Sequence, residues 1–131
     1  MSKTTQEIGH LAELQFEIHA HNKGMIISKP TRPARYDFIL DDGAQRLRIQ
    51  VKSCSHKDKR SDAFIINSGN GPRNNAYGSN EIDFLAVWFP TLNYFGWFPI
   101  SLIANKSRIT IQADKLKRKW KNTILLENYK W

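Results

Sequence analysis

The alternation of apolar and polar residues predicts a β-hairpin in the first half of the chain. Residues 35–40 and 45–53 alternate with a period of two, and the dipeptide Asp-Gly at 42–43 lies between them. Asp-Gly between two alternating segments is the strongest short-range signal for a hairpin with a two-residue turn. A turn at this dipeptide pairs Asp37 on the first strand with Arg48 on the second.

The predicted hairpin has one apolar and one polar face, because side chains on a strand alternate between the two sides of a sheet. The apolar face is the expected core face and carries Tyr36, Phe38, Leu40, Leu47, Ile49 and Val51. The polar face carries Asp37, Arg46, Arg48, Gln50 and Lys52. We therefore expect a carboxylate, an amide and an amine on neighbouring strands, with arginines beside them.

This polar face can be a site for phosphodiester chemistry or a solvated surface. A carboxylate such as Asp37 can hold Mg2+, which prefers oxygen ligands and keeps several waters. The backbone carbonyl of Val51, at a strand end, can supply a second oxygen. Lys52 can polarise an attacking water or stabilise charge that builds up on the phosphate. In the simpler interpretation, Asp37 and Arg48 form a surface ion pair worth about 0–1 kcal/mol.

A helix is predicted over residues 5–21, ahead of the hairpin. Thr4 followed three residues later by Glu7 is a capping box, and Gly24 is typical of a helix end. Apolar residues at helical spacing predict a packed stripe that consists of Ile8, Leu11, Ala12, Phe16 and Ile18. Glu13 borders this stripe, where the pattern alone indicates an ordinary solvated residue.

Further apolar runs predict the remaining elements of the fold. Strands are expected at 25–28, 64–66, 80–90, 94–100 and 107–111, with a short helical turn at 101–104. The aromatic residues of the second hairpin favour a core or a subunit interface over base stacking. The expected fold class is α/β: a mixed, mostly antiparallel sheet of about five strands, with the N-terminal helix on one face and helical elements near the C-terminus.

Three segments combine positive charge with turn residues or aromatic rings. They are the proline-containing loop at 29–35, the stretch without periodicity at 67–80 and the tail from about 114 to 131. With the arginines of the hairpin, they supply the candidate nucleic-acid contacts Lys29, Arg32, Arg35, Arg46, Arg48, Arg73, Asn74, Asn75, Lys117 and Lys119. The alternatives are a solvated loop, a passive linker and a solvated helix, respectively.

Composition indicates one globular domain, whose positive charge points to a polyanionic partner or serves solubility alone. The chain has 131 residues, a net charge of +8 and a pI near 9.8. No apolar run reaches the roughly 18 residues of a membrane span, and no signal peptide opens the chain. The lone Cys54 excludes an internal disulfide. We expect a cytoplasmic protein of bacterial, phage or archaeal type that binds no membrane.

Two segments of the hairpin resemble a known family. Tyr-Asp-Phe-Ile-Leu at 36–40, followed by Ile-Gln-Val-Lys-Ser at 49–53, is similar to the core of the PD-(D/E)XK nucleases. The similarity is greatest to the intron-encoded (group I) homing endonucleases, and next to the Holliday-junction resolvases. The helical segment at 9–16 and the Ile-Asp-Phe strand at 82–84 also resemble parts of the family core.

The resemblance implies a role for four residues. Asp37 takes the place of the metal-binding aspartate, Gln50 the (D/E) position and Lys52 the lysine, while Glu13 completes the metal site from the first helix. Two residues depart from the family pattern. Tyr36 stands where the motif has a proline that is often absent, and Gln50 is a neutral amide in place of an acid. Glutamine at this position is found in the homing branch.

The implied function is hydrolysis of DNA phosphodiester bonds by an endonuclease that depends on Mg2+, with Mn2+ as a substitute. Residues 1–131 then form a single nuclease domain with a basic, aromatic tail at about 114–131. A site-specific homing endonuclease is expected. The alternatives are a Holliday-junction resolvase and a catalytically decayed DNA-binding module. Because a double-strand break in double-stranded DNA needs two sites, we expect a homo-oligomer, either a dimer or a dimer of dimers. The expected joining surface consists of Trp88, Phe89, Tyr94, Phe95 and the Trp120–Trp131 tail.

Overall fold

The computed structural model describes residues 2–60, 62–67, 69–70, 75–78, 80–114 and 123–131. In chain order, its strands are β1 (Ile26–Ser28), β2 (Phe38–Asp41), β3 (Arg46–Ser53), β4 (Phe64–Asn67), β5 (Gly69–Asn70), β6 (Asn75–Ala76), β7 (Phe84–Phe89), β8 (Tyr94–Pro99), β9 (Arg108–Gln112) and β10 (Ile124–Leu125). The helices are α1 (Thr5–Asn22), α2 (Ile100–Ile103) and a 3-10 helix at Leu126–Tyr129.

The main sheet has the strand order β1-β2-β3-β7-β8. Neighbouring strands are antiparallel except β3 and β7, which run parallel. The predicted mixed, mostly antiparallel sheet of about five strands is therefore confirmed. The parallel pair β3–β7 joins the β2–β3 hairpin to the second predicted hairpin, β7–β8.

A second, three-stranded sheet has the order β10-β9-β4, and β5 and β6 form a separate ladder. The sequence predicted β4 and β9 as strands but not as a sheet of their own. The last strand predicted from the sequence corresponds to β9. The structure adds β10, which pairs parallel to β9 through Ile124 and Leu125. A strand of two residues is too short to show a period, so only the neighbouring strand reveals it.

Helix α1 begins and ends as predicted but buries a narrower face. The Glu7 N–H donates to Thr4 Oγ1 at 3.1 Å, and Gly24 follows the helix with a φ of +74°. The buried residues are Ala12, Phe16 and Ala20, one turn apart. The prediction that the whole stripe packs is wrong for three residues that are 41–52% exposed, namely Ile8, Leu11 and Ile18. The small side chains of Ala12 and Ala20 allow the backbone of α1 to approach the sheet, and Phe16 packs between them. The buried face of α1 is therefore a single row of side chains.

No helix in the described part of the chain has both the length and the apolar character needed to cross a membrane.

Two clusters of buried side chains cover the two faces of the main sheet. The cluster beneath α1 contains Phe16 with Phe38, Ile49 and other residues of the predicted apolar face. The cluster on the opposite face joins the main sheet to the second sheet. Tyr36 packs against this second cluster, so its assignment to the hairpin's apolar face is wrong. The reason is that β2 begins only at Phe38, and the period-two alternation does not extend back to Tyr36.

The β2–β3 hairpin forms with a register two residues away from the predicted one. Leu40 pairs with Leu47, and continuing this register places Asp37 opposite Gln50 rather than Arg48. The turn is wider because the Asp42 carboxylate accepts hydrogen bonds from backbone N–H groups two and three residues further on, at 2.9 and 2.8 Å. Since a shift by two preserves the alternation, the polar face retains its predicted members.

The aromatic residues expected at a subunit interface lie largely inside the chain's own core. Trp88, Phe89 and Phe95 are buried. Trp131 stacks on Trp97 with ring centroids 4.8 Å apart. Trp88 and Phe95 pack in the cluster beneath α1, and Phe89 packs in the cluster on the opposite face of the sheet. The predicted joining surface is therefore wrong for these buried residues, and Trp120 lies outside the described residues.

Candidate active site

The site is built around the carboxylate of Asp37, at the residue before β2. Its Oδ2 accepts a hydrogen bond from the backbone N–H of Val51 on β3, at 2.9 Å. Its own backbone N–H donates to the carbonyl of Ile49 at 2.8 Å. The side chain and the backbone of Asp37 are thus both bonded to β3, which fixes the carboxylate next to the strand that carries Gln50 and Lys52.

Asp37 and Lys52 share a partly desolvated environment. Burial raises the pKa of the Asp37 carboxyl, while the Val51 N–H, Lys52 and Lys29 oppose that rise. Burial lowers the pKa of the Lys52 amine, which the Asp37 charge opposes. The two groups therefore stabilise each other's charged forms where solvent does so poorly. Perturbation of this kind is common in functional sites.

Glu13 joins this pair from α1. Burial raises the pKa of its carboxyl, and the charge of Asp37 raises it further, while Lys29 and His10 oppose the rise. The helix therefore places a second carboxylate within electrostatic reach of the first. Glu13 lies between the buried face and the solvent face of α1, so it reaches the site because Phe16 docks the helix on the sheet.

Gln50 and Lys52 line a groove of about 510 Å3. Its walls come from the first turns of α1, the second half of β3 and strand β4. The Gln50 amide Nε2 donates to the backbone carbonyl of Val51 at 3.4 Å. The amide of Gln50 and the carbonyl of Val51 are therefore neighbours.

The donor set suits a hard divalent cation. The carboxylates of Asp37 and Glu13, the carbonyl of Val51 and the amide oxygen of Gln50 are all oxygen ligands, which Mg2+ prefers. Among the residues that the structure describes, no three His, Cys, Asp or Glu side chains cluster for a metal. The two carboxylates would therefore depend on neutral oxygens to complete a site.

Two arginines among the predicted nucleic-acid contacts, Arg35 and Arg48, pair with acids that lie far away in sequence. Arg48 donates from Nε to Asp83 Oδ2 at 3.2 Å and from Nη2 to Asp83 Oδ1 at 3.1 Å, and its backbone N–H donates to Oδ2 at 2.7 Å. Arg35 Nε lies 2.8 Å from Glu81 Oε2. The simple Asp37–Arg48 ion pair is thus replaced by an Arg48–Asp83 pair, which sequence reasoning missed. Only the parallel pairing of β3 with β7 brings these residues together.

The other predicted nucleic-acid contacts are distributed around the site. Lys29 lies 3.6 Å from Glu17, and Arg46 lies 3.6 Å from Asp41 with its side chain 74% exposed. Arg32 is exposed. The backbone of Asn75 lies in β6. The remaining candidates lie outside the described residues and are Arg73, Asn74, Lys117 and Lys119.

Two aspartates are expected to affect stability in opposite directions at pH 7. In the folded protein the pKa of Asp37 is raised above the usual value of 3.8. The carboxyl therefore stabilises the fold while it is protonated, below pH 3.8, and this stabilisation is lost as the pH rises through the folded-state pKa. Asp37→Asn, which can still accept the Val51 N–H, should therefore raise the free energy of unfolding by up to about 1 kcal/mol. Urea denaturation in EDTA at pH 7 measures the change.

Asp83 supplies the matched control. The side-chain hydrogen bond from Arg48 lowers the pKa of Asp83, so its contribution is present above the usual value of 3.8 and is lost as pH falls through the folded-state pKa. Asp83→Asn should lower the free energy of unfolding at pH 7 by about 1 kcal/mol, because the pair is partly exposed. Destabilisation of equal size in both variants would contradict the account of Asp37.

The chain is similar to two solved structures of nucleases. A bacterial homing endonuclease, I-Ssp6803I, has a TM-score of 0.78 and 24% sequence identity, over 98% of this chain and 89% of that one. Hjc, a Holliday junction resolvase from the archaeal hyperthermophile Archaeoglobus fulgidus, has a TM-score of 0.49 and 13% identity, over 83% of this chain and 85% of that one. The first of these likenesses shows the fold. No curated protein sequence matches the chain.

A family comparison extends over nearly the whole chain. The sequence model of the PD-(D/E)XK endonucleases matches residues 3–131. Enzymes of this family generally use divalent metal ions. The resemblance carried by residues 36–40 and 49–53 is therefore confirmed, and the chain belongs to the PD-(D/E)XK endonuclease family.

Proposed function

We propose that this protein is a divalent-metal-dependent endonuclease that hydrolyses phosphodiester bonds in double-stranded DNA, as a site-specific homing endonuclease. The observation that supports this most directly is the hydrogen bond that holds the Asp37 carboxylate against β3, the strand whose Gln50 and Lys52 line a groove. Family membership supports a nuclease, and the net charge of +8 favours a polyanionic substrate.

In this proposal, Asp37 and Glu13 hold Mg2+, with Mn2+ as a substitute. The carbonyl of Val51 and the amide oxygen of Gln50 add neutral ligands. A divalent cation bound there supplies positive charge that stabilises negative charge on a phosphate oxygen. The Val51 N–H keeps Asp37 oriented, so the carboxylate does not need to reorganise when a cation arrives.

Lys52 acts on the water and on the phosphate. Its burial disfavours the charged amine, while Asp37 favours it, so the amine can exchange a proton with the attacking water. In its charged form it stabilises the negative charge that develops when water adds to phosphorus and the bond to one sugar oxygen breaks. The groove that Lys52 and Gln50 line is the proposed path of the cleaved strand.

The proposed DNA backbone contacts divide into two groups. Lys29 and Arg32 lie in the loop before the hairpin, and Arg46 begins β3. All three are exposed and would supply positive charge to the DNA backbone. Arg35 and Arg48 are bound to acids, so their proposed role in DNA binding includes fixing the segment that begins near Asn80. Contacts by Arg73, Asn74, Asn75, Lys117 and Lys119 remain predictions.

Two other functions remain as alternatives. A Holliday-junction resolvase would use the same site on four-way junctions regardless of sequence. A decayed DNA-binding module is favoured by one specific observation, the neutral Gln50 at the (D/E) position. The two carboxylates of Asp37 and Glu13, with the Lys52 amine, are the observation that supports an active site in spite of the neutral Gln50.

We also propose that the protein acts as a homo-oligomer. One site cuts one strand at a time, so a double-strand break requires a second copy, most simply related by two-fold symmetry. The exposed apolar residues of α1 are candidates for the contact with that copy, since the aromatic core residues are already buried. These helix residues are Ile8, Leu11, Leu14 and Ile18.

A cleavage assay on three substrates tests the proposed function. Supercoiled plasmid, a random-site duplex library and a four-way junction are each incubated with and without Mg2+. The homing proposal predicts Mg2+-dependent cleavage, recovery of one duplex sequence from the library at a preference of at least about 10³ over other DNA, and linear plasmid. Junction preference without sequence preference would instead support the resolvase.

In the same assay, Asp37→Ala and Lys52→Ala should reduce cleavage by at least about 100-fold, because each removes a group placed at the reacting phosphate. Binding to DNA should change little. Lys106→Ala is the control, because Lys106 is exposed and belongs neither to the site nor to the proposed DNA contacts. Full activity in either site variant, or cleavage in excess EDTA, would refute the assignment.

Gln50→Glu tests the neutral ligand. A carboxylate attracts Mg2+ more strongly than an amide does, so this variant should reach half-maximal cleavage at a lower Mg2+ concentration while retaining activity. Metal titrations of cleavage that superimpose for the two proteins would show that Gln50 does not contact the metal.

A further inference from the structure

Helix α1 contains a glycine that the fold does not require. Gly9 lies in the second turn of the helix, where glycine is destabilising relative to alanine because it loses more conformational freedom on folding. The residue is exposed, so it does not pack tightly against the sheet. Apart from its own helical turn, no described atom lies within 4 Å of the position that a Cβ would take. Alanine would therefore fit here without a clash and with a gain in helix stability.

Three other glycines show what a structural requirement for this residue looks like. Gly24 and Gly43 have φ values of +74° and +93°, which residues with a side chain rarely adopt. A Cβ on Gly96 would lie 2.6 Å from the ring of Phe98, closer than the packed core allows. Gly9 has neither a positive φ nor a close neighbour, so the reason for a glycine at this position lies outside the folded chain itself.

The missing side chain of Gly9 leaves space in the groove of the proposed active site. Gly9 lines this groove together with Gln50 and Lys52 of β3. Glu13, which the proposed function assigns to the metal, lies four residues further along α1. Residues four apart lie on the same side of a helix, about 5.4 Å from each other along its axis. The bare backbone at Gly9 is thus one helical turn from the proposed metal ligand.

We infer that Gly9 is the point at which the sugar–phosphate backbone of the bound DNA strand passes closest to α1. The inference rests on the proposed function, in which the cleaved strand follows this groove. Glycine permits a close approach between a protein backbone and a ligand. A side chain at this position would project into the groove and hold the strand away from Lys52 and the metal ligands. Because a displacement of about 1 Å can cost about 100-fold in rate, the empty space positions the phosphate.

Gly9→Ala and Gly9→Leu test the inference by filling this space in two steps. Both variants should be more stable than the wild type, with a Tm in EDTA that is higher by about 2–5 °C, because alanine and leucine are better helix formers than glycine. Both should nevertheless bind DNA less well. The Kd for a fluorescently labelled duplex in EDTA should rise about threefold for alanine and at least about tenfold for leucine, since the added volume excludes the strand. The KM for Mg2+-dependent cleavage of supercoiled plasmid should rise in the same order.

Gln6→Leu is the matched control. Gln6 is an exposed residue of the same helix and is not among the described residues that line the groove. This variant adds apolar bulk to α1 but should keep the wild-type Kd and KM.

A Gly9→Leu protein with the wild-type Kd and KM would overturn the inference. Weaker binding together with a lower Tm would also overturn it, because that result would reveal a structural need for glycine. If the wild type binds duplex DNA but does not cleave it with Mg2+, the proposed function fails. The Kd values in EDTA still decide the role of Gly9 in that case: a rise with side-chain volume supports it, and equal values refute it.

Discussion

The arrangement of the site depends on the way Asp37 is bonded to β3. Its carboxylate is removed from much of the solvent, yet it accepts a hydrogen bond from the Val51 N–H at 2.9 Å. The same residue is held through its backbone to Ile49. Because both bonds go to one strand, they hold the carboxylate beside the strand that carries Gln50 and Lys52. Helix α1 then needs only to dock through Phe16 to bring Glu13 to this carboxylate.

A second layer of contacts keeps this arrangement in position. Strand β7 runs parallel to β3, and the Arg48–Asp83 pair fastens the beginning of that pairing. The Arg35–Glu81 pair and the Arg35–Tyr77 contact fasten the preceding segment. Exposed ion pairs are usually weak, but the Arg48 guanidinium also donates to the backbone carbonyl of Asn80, and the Arg35 guanidinium lies over the Tyr77 ring. These contacts fix the geometry of both groups. The site is thus supported by residues whose charges are compensated locally.

The sequence was sufficient for the parts of the fold that have local causes. The capping of α1 by Thr4, the strand alternation around Asp37 and the polar face with Gln50 and Lys52 follow from neighbouring residues. The hairpin register was missed because Asp42 binds backbone N–H groups beyond Gly43, and this wider turn competes with the two-residue turn that Asp-Gly favours. The predicted apolar and polar faces are nevertheless retained, because a register shift of two residues preserves the alternation of side chains.

Features with long-range causes could not be predicted in this way. The pairing of Arg48 with Asp83 depends on a parallel crossover of 35 residues, and no local period reports it. The exposure of Ile18 depends on how narrowly α1 meets the sheet. Phe95 packs against Trp131, which returns from the end of the chain and also stacks on Phe16 and Trp97. The burial of Tyr77 could not be predicted, because this residue lies in the stretch without periodicity at 67–80.

The central claim is that the Asp37 site is electrostatically prepared for a divalent cation, and thermal unfolding in the absence of DNA tests it most directly. Mg2+ that binds the folded protein and neutralises the two carboxylates should raise the Tm of the wild type progressively, by the equivalent of about 2.7 kcal/mol at 100 times its Kd. The rise should be absent or much smaller in Asp37→Asn, with NaCl of equal ionic strength as the reference. An equal rise in both proteins, or no rise in the wild type beyond the NaCl reference, would contradict the account.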